Sequence, residues 1–351
     1  NQPLSDTATI NSLPSKGTRA GNYLAFDANG DMVASAGTGA DAALRTDLAA
    51  SDGSSLVGHI ASGTGAVART VSDKFTEIVS VFDYWSDSEK ADVTARTTSL
   101  DVTSGYLNAL KALKTHGGIL WHPPGEYLLG TSASANVIEI DNTWLQGVTI
   151  QGAGRGATKL KCNTKAHQFF NLNTPGGPWA WRDLSMEGIW VSADDLTYSG
   201  NSAIKATYGA DYLLENCDIG YFGYGGVQTY NVDGFAAINN RIHHSGWEGF
   251  LFSIGSHNIR TAFNIFSENK WHYDINGYDV ISTSDRFMKT RSVYQTWGVT
   301  IERNASTYDV YDITFNSPQF IDTGDVGFNV SSYDAAYPVS NIVVNNPIMN
   351  I

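Results

Sequence analysis

Asn240-Arg241-Ile242-His243-His244-Ser245-Gly246-Trp247-Glu248-Gly249 is followed, 24 residues on, by Asn264-Ile265-Phe266-Ser267-Glu268-Asn269-Lys270-Trp271-His272-Tyr273. Asn falls under Asn and Trp under Trp. One unit earlier, Asn216-Cys217-Asp218-Ile219 and Gly223-Tyr224-Gly225-Gly226 occupy nearly the same frame, with Ile219 lying 23 residues before Ile242. A short strand-like unit, rich in Asn and Gly and repeated at a near-constant period, reads as a solenoid, because each unit buries its apolar face only against its neighbours.

The apolar anchors extend this frame in both directions. Val148-Thr149-Ile150, Gly188-Ile189-Trp190, Asp218-Ile219, Arg241-Ile242, Ile265-Phe266, Arg286-Phe287, Gln319-Phe320 and Pro347-Ile348 each end a short strand, most of them just after Asn, Asp or Cys. The intervals between Ile219, Ile242, Phe266 and Phe287 are 23, 24 and 21 residues; the longer intervals elsewhere require loops that bulge out. Asn at a matched position tolerates left-handed backbone and can stack on its copies in a hydrogen-bonded ladder. The 35 Gly against 9 Pro, with many Asn and β-branched residues, exclude a helical repeat. The spacing therefore predicts an all-β fold, a right-handed single-stranded parallel β-helix.

Charge and cysteine content bound the function. A formal net charge of −13, with no basic run, argues against nucleic acid or an anionic membrane surface as partner. No apolar stretch is long enough to insert in a bilayer, and no signal peptide is visible at the start. Cys162 and Cys217 fit neither a disulfide framework nor a zinc site and read as buried core residues. Because adjacent strand residues point to opposite faces, His243 and His244 are a poor metal pair, and no metal or other cofactor is expected.

Four segments follow. Residues 1–40 are an N-terminal connector whose Gly21–Val33 stretch reads as a hairpin around Asn29-Gly30. Residues 41–77 are a neck and linker with two helical turns at Ala42–Ala49. Residues 78–130 carry an opening strand and a capping helix: Tyr106, Leu107, Leu110 and Leu113 recur at helical spacing before the Gly117-Gly118 stop. Residues 131–351 are the rungs, which stop within a rung at Asn350-Ile351, as a truncated solenoid would. With no Met at its start, the chain also reads as an expressed piece or a trimmed product.

Three strings resemble bacteriophage tailspikes and tail fibres. The Leu24-Ala25-Phe26-Asp27 string with Gly30 is similar to the phrase that follows their head-binding part. The run Leu44 to Gly58 is similar to their linker before a β-helix, and Ile78-Val79-Ser80-Val81-Phe82-Asp83-Tyr84 to their opening strand. The helix, Gly-Gly, strand, Pro123-Pro124-Gly125, strand succession looks like the start of pectate-lyase-type β-helices, where the helix plugs the open end. The chain departs from the pattern after Tyr84, where Trp85-Ser86-Asp87-Ser88-Glu89 replaces the usual glycine-rich acidic string, so no functional residue is carried over there. The resemblance implies a homotrimeric virion protein that attaches to a phage tail or baseplate protein through its N-terminal region. It implies a body that recognises and depolymerises a bacterial surface polysaccharide, capsule or O-antigen.

The repeat turns into a spatial map, since matched residues stack about 4.8 Å apart. His244 is expected over Glu268, Glu248 over His272, and Tyr224, Trp247 and Trp271 in one aromatic column with Asp274 nearby. Rings beside carboxylates and imidazoles suit a sugar-binding groove. Glu248, Glu268, His244 and His272 are the candidate catalytic groups, and Tyr224, Trp247, Trp271 and Asp274 the candidate binding groups. Glycoside hydrolysis needs two carboxyls at a defined separation, and Glu248 with Glu268 is the best pair, although four frame positions separate them. Asp322 and Asp325 form a second group that could meet another subunit, and Asp194-Asp195 another loop pair. Two alternatives stand beside hydrolysis. One is a lyase using Arg241, Arg286, Arg291, His244 or Tyr294; the other is a non-catalytic receptor-binding fibre or adaptor. Against any site reading, Trp247 and Trp271 could equally be core or interface residues, and Glu268 a structural partner of Lys270 or His244.

Overall fold

The computed structural model describes residues 12–35, 39–131, 135–144, 146–164, 167–173, 177–189, 200–288, 297–303, 309–322, 326–332 and 339–350. The chain separates into two compact units, Asn1–Thr76 and Glu77–Ile351.

In the first unit, Tyr23–Phe26 pairs antiparallel with Met32–Ser35. The Asp27 carboxylate accepts the backbone N–H groups of Asn29 and Asp31 and so closes the turn. A helix spans Gly39–Ala49, longer than the two turns read from Ala42–Ala49. Tyr23, Leu24, Phe26, Leu44, Leu48, Ile60, Val67 and Phe75 are all exposed, so this unit presents its apolar residues to the outside.

The second unit is a right-handed parallel β-helix with three faces. The first is a 9-stranded parallel sheet that runs from Gly125–Leu129 to Ile348–Asn350. The second carries Glu248–Ser253, Trp271–Ile275 and Trp297–Arg303; the third carries His257–Ala262, Val280–Thr283 and Tyr311–Asn316. Two 14-residue strands, Ser202–Glu215 and Gly225–Ile238, run through the bend from the second face to the third. Positive φ at Tyr208, Asp211 and Asn231 and at Gly209 and Gly234 lets them turn that corner without breaking the ladder.

Tyr127, Leu160, Met186, Ile219, Ile242, Phe266, Phe287, Phe320 and Met349 form one column on the first face. Five anchors read from the spacing lie in it. Met186 and Met349 replace Ile189 and Ile348, and Ile150 belongs to the third face instead. The stacked rings of Phe266, Phe287 and Phe320, 5.6 and 5.2 Å apart, show why aromatic anchors recur at this position.

At the corner between the third and first faces, Asn216, Asn239, Phe263 and Ser284 are left-handed. The residue after each points inward and builds a buried ladder. Asn240 Oδ1 accepts the Cys217 N–H, Asn264 Oδ1 accepts the Asn240 N–H, and Asp285 Oδ1 accepts the Asn264 N–H. The next rung places Pro318 here, whose ring offers no acceptor to the rung before it, so the series ends at Asp285, a carboxylate that can only accept. Cys162 and Cys217 are free and buried, and burial pushes both thiols up to about 12.

Two helices close the N-terminal end of this unit. Thr103–Ala112 buries Tyr106, Ala109 and Leu110. Asp87–Ala95 begins with a capping box between Ser86 and Glu89. This helix stands where the tailspike-like pattern breaks, and its Ser-x-x-Glu start is a signal that the reading from sequence passed over. Among the described residues, no helix is long and apolar enough to cross a membrane.

Candidate active site

Phe250 packs on Phe266 and Tyr273 on Phe287, which fixes both as core residues of the second face. Strand alternation then turns Leu251, Asp274 and Thr300 outward in one register column. Glu302 emerges two residues beyond Thr300. Gly249 also faces inward, because a methyl on it would lie 2.9 Å from the Phe266 ring. Two successive inward residues, Gly249 and Phe250, mark a bend, and Glu248 therefore leaves the corner outward. Three consecutive rungs thus place Glu248, Asp274 and Glu302 on one outer surface.

These three acids are buried although they point away from the core, with exposures of 2, 3 and 4%. Burial is the main cause that pushes Glu248 well above the usual carboxylate range. The charges of Asp274 and Glu302 add to it, while Lys270 pulls the other way. Burial and then Glu302 likewise hold Asp274 high, against a 2.8 Å hydrogen bond donated by Asn276. Burial also pushes Tyr230 up to about 12, helped by Glu248 and Asp274, so its phenol faces the same group. Gln228 Nε2, Glu248 Oε2 and Thr300 Oγ1, all on this surface, are buried without hydrogen-bond partners. Such groups cost free energy in a folded chain unless a ligand completes them.

The aromatic residues gather at the adjoining corner. Tyr224 and Trp247 stack with centroids 6.4 Å apart, and Trp247 meets Trp271 edge-on at 5.1 Å. Lys270 Nζ lies over the Trp247 ring, 3.2 Å from its centroid, so an ammonium covers one face of that indole.

Several expectations change. Glu248 pairs with Trp271, not with His272. Asn240 and Asn264 keep the 24-residue offset, but the corner after Asn269 is one residue shorter than that after Ser245, which moves the second face to an offset of 23. His272 consequently points inward, against Phe266 and Phe287. Its Nδ1 accepts from Asn269 and its Nε2 donates to the Met288 carbonyl. Burial lowers it to about 4, so it is a neutral core histidine with no access to a substrate.

His244 and Glu268 do share a frame, as left-handed residues one rung apart at the exit from the first face. Asp322 occupies the same frame further along and is exposed. That corner is separate from the second-face column, so the register does not pair Glu268 with Glu248. His244 stacks on Tyr221 at 4.7 Å, and its Nδ1 is 2.8 Å from His243 Nδ1. Asp325, Asp194, Asp195, Arg291 and Tyr294 lie outside the described residues. Glu302 was not singled out from the sequence: its strand begins 26 residues after Trp271, an interval longer than the period of the repeat. Among the described residues, no three acidic, His or Cys side chains are placed to hold a metal ion.

The comparisons agree with the architecture. A family model described as a right handed beta helix region matches residues 127–293. The tailspike protein of E. coli bacteriophage HK620, solved in complex with a pentasaccharide, is similar at 12% identity and a TM-score of 0.63. The match covers 88% of this chain and 56% of that one, so this chain spans little more than half of the tailspike's length. The catalytic unit of a thermostable GH87 alpha-1,3-glucanase from Streptomyces thermodiastaticus strain HF3-3 is similar at 15% identity and a TM-score of 0.52, over 77% of this chain and 58% of that one. No curated protein sequence matches. Residues 127–293 match the right handed beta helix region that the family model describes, and the chain shares its fold with a phage tailspike and a glucanase.

Proposed function

We propose that the protein is the body of a phage tailspike that binds a bacterial surface polysaccharide and cleaves it by glycoside hydrolysis on the second face. The observation that carries this reading is the buried triad Glu248, Asp274 and Glu302, with unpartnered polar atoms around it. Burial and the neighbouring charges raise Glu248 and Asp274 well above the usual carboxylate range, which is the direction a general acid requires.

We assign Asp274 as the acid that protonates the glycosidic oxygen. Glu302, whose charge pushes both neighbours upward, is the base that takes a proton from the attacking water. Asp274 and Glu302 are offset by one rung and two residues, which sets their Cα atoms about 8 Å apart. Carboxyls of that origin can stand roughly 6.5–9.5 Å apart, which leaves room for the water and favours inversion. Trp271 and Tyr224 at the corner supply faces for a pyranose ring, and Gln228 and Thr300 supply hydrogen bonds to its hydroxyls.

The tailspike part of the reading is supported by the opening strings at Leu24, Leu44 and Ile78 and by the shared solenoid. It carries with it a homotrimer, attachment to a tail or baseplate protein through residues 1–77, and a place in the virion. The exposed apolar residues of the first unit are in keeping with burial against further copies.

The test is incubation with purified capsule or lipopolysaccharide from a panel of hosts, reading new reducing ends together with ultraviolet absorbance of unsaturated uronates. Reducing ends without that absorbance are expected. Absorbance would make the enzyme a lyase, and binding without any product would make the chain a receptor-binding fibre.

A further inference from the structure

The outer surface of the first face is a lattice of alternating charge. Lys159 bridges Glu187 at 2.9 Å and Glu126 at 3.8 Å, Lys161 reaches Glu126 at 3.3 Å, and Asp218 pairs with His243 at 2.9 Å and Arg241 at 3.9 Å. On a half-exposed parallel sheet such pairs ordinarily just hold neighbours together. Here the lattice has a hole. Ser185 and Gly220 fall on adjacent strands at diagonal positions, and a cleft opens over them, rimmed by Lys159, Glu187, Asp218, Tyr221 and His243.

Gly220 has no positive φ, so its backbone does not demand glycine. What demands it is space. A methyl there would overlap the His243 imidazole, which lies over this strand to reach Asp218. Burial pushes Asp218 up, but the His243 hydrogen bond and the nearby His243 and Arg241 charges outweigh it and hold the carboxyl below its ordinary range. Lys159, hydrogen-bonded to Glu187, is raised against the effect of burial. The lining therefore sets the fixed donors Arg96, Lys159 and Arg241 among the fixed acceptors Glu187 and Asp218. One wall is the Tyr221 ring, edge-on to His243 at 5.3 Å.

We infer that this cleft is a second, non-catalytic carbohydrate site that takes a neutral sugar unit. Vicinal hydroxyls each give one donor and accept in return, which matches carboxylates alternating with ammonium and guanidinium groups. Each cation that lines the cleft is already paired, Arg96 with Glu126, Lys159 with Glu187 and Arg241 with Asp218, so a charged ligand would have to break a pair that hydroxyls can simply add to. The inference stands apart from the acid triad, because the cleft lies on the first face and Glu248, Asp274 and Glu302 lie on the second.

The test follows the His243 imidazole resonances of isotope-labelled protein during titration with D-glucose, D-galactose, L-rhamnose and N-acetylglucosamine, and with glucuronate and inorganic phosphate as charged controls. At least one neutral sugar should shift His243 saturably. Lys159→Ala, Glu187→Gln and Gly220→Val should each weaken that binding by about tenfold or more, while Glu248→Gln leaves it unchanged. The two surface variants keep the test valid if Gly220→Val does not fold. No response to any neutral sugar, binding of the charged controls alone, or unchanged affinity in Lys159→Ala and Glu187→Gln would overturn the inference.

Discussion

Two regions of the solenoid bury carboxylates, and they treat them in opposite ways. At the corner between the third and first faces, Asp285 accepts from Thr261 at 2.6 Å, Ser282 at 2.7 Å, Tyr273 at 2.8 Å, and the Asn264 backbone and side chain at 2.7 and 3.0 Å. Burial raises its pKa, but the bonds from Thr261, Ser282, the Asn264 backbone and Tyr273 work against the shift. On the second face, Asp274 accepts from Asn276 at 2.8 Å, and Glu248 Oε2 has no hydrogen-bond partner among the described residues. A carboxylate in a complete donor cage stabilises the rungs it joins. Buried carboxylates that repel one another destabilise them, and such a cost is retained where a substrate or a proton is to be handled.

The comparison breaks first at Asp285. Asp285→Ala strands three hydroxyls and the Asn264 amide in the core and should lower unfolding stability by about 3–5 kcal/mol in urea denaturation. A loss under about 1 kcal/mol would mean that the cage is not what joins these rungs. Next comes Asn264→Ala, which removes one rung of the ladder and should cost about 2–4 kcal/mol by the same measurement. The outside of the solenoid sharpens the point. Asn345 donates to Asn316 at 3.0 Å in an exposed contact between two amides one rung apart, and Asn345→Ala should change stability by less than about 0.5 kcal/mol.

The same contrast explains how much was legible in the sequence. The fold was readable because Ile219, Ile242, Phe266, Phe287 and Phe320 must fill one core column, and stacking forces them into a near-fixed period. The ladder at Asn240 and Asn264 obeys that period too. The site did not, because outward residues are free of the core's constraint, and the corners that lead to them vary in length. One residue fewer after Asn269 turned His272 inward and set Trp271 under Glu248. The longer interval before Trp297 hid Glu302 from the repeat. Asp274 was found only as a neighbour of Trp271, whereas its place between two other acids needed the register of three rungs.

The central claim is that Glu248, Asp274 and Glu302 are strained for function, and Asp274→Asn tests it most directly. A raised folded-state pKa means that the unfolded chain releases its proton first. The wild type should therefore lose stability as pH rises from about 4 through the elevated folded pKa, and that loss should shrink in the variant. Thermal and urea unfolding across pH 4–8, run beside the depolymerisation assay, give both readings. The account predicts that Asp274→Asn is more stable than the wild type at neutral pH, by about 1–2 kcal/mol, and at least 100-fold slower in cleavage. A variant that is less stable at neutral pH and still cleaves at the full rate would contradict it.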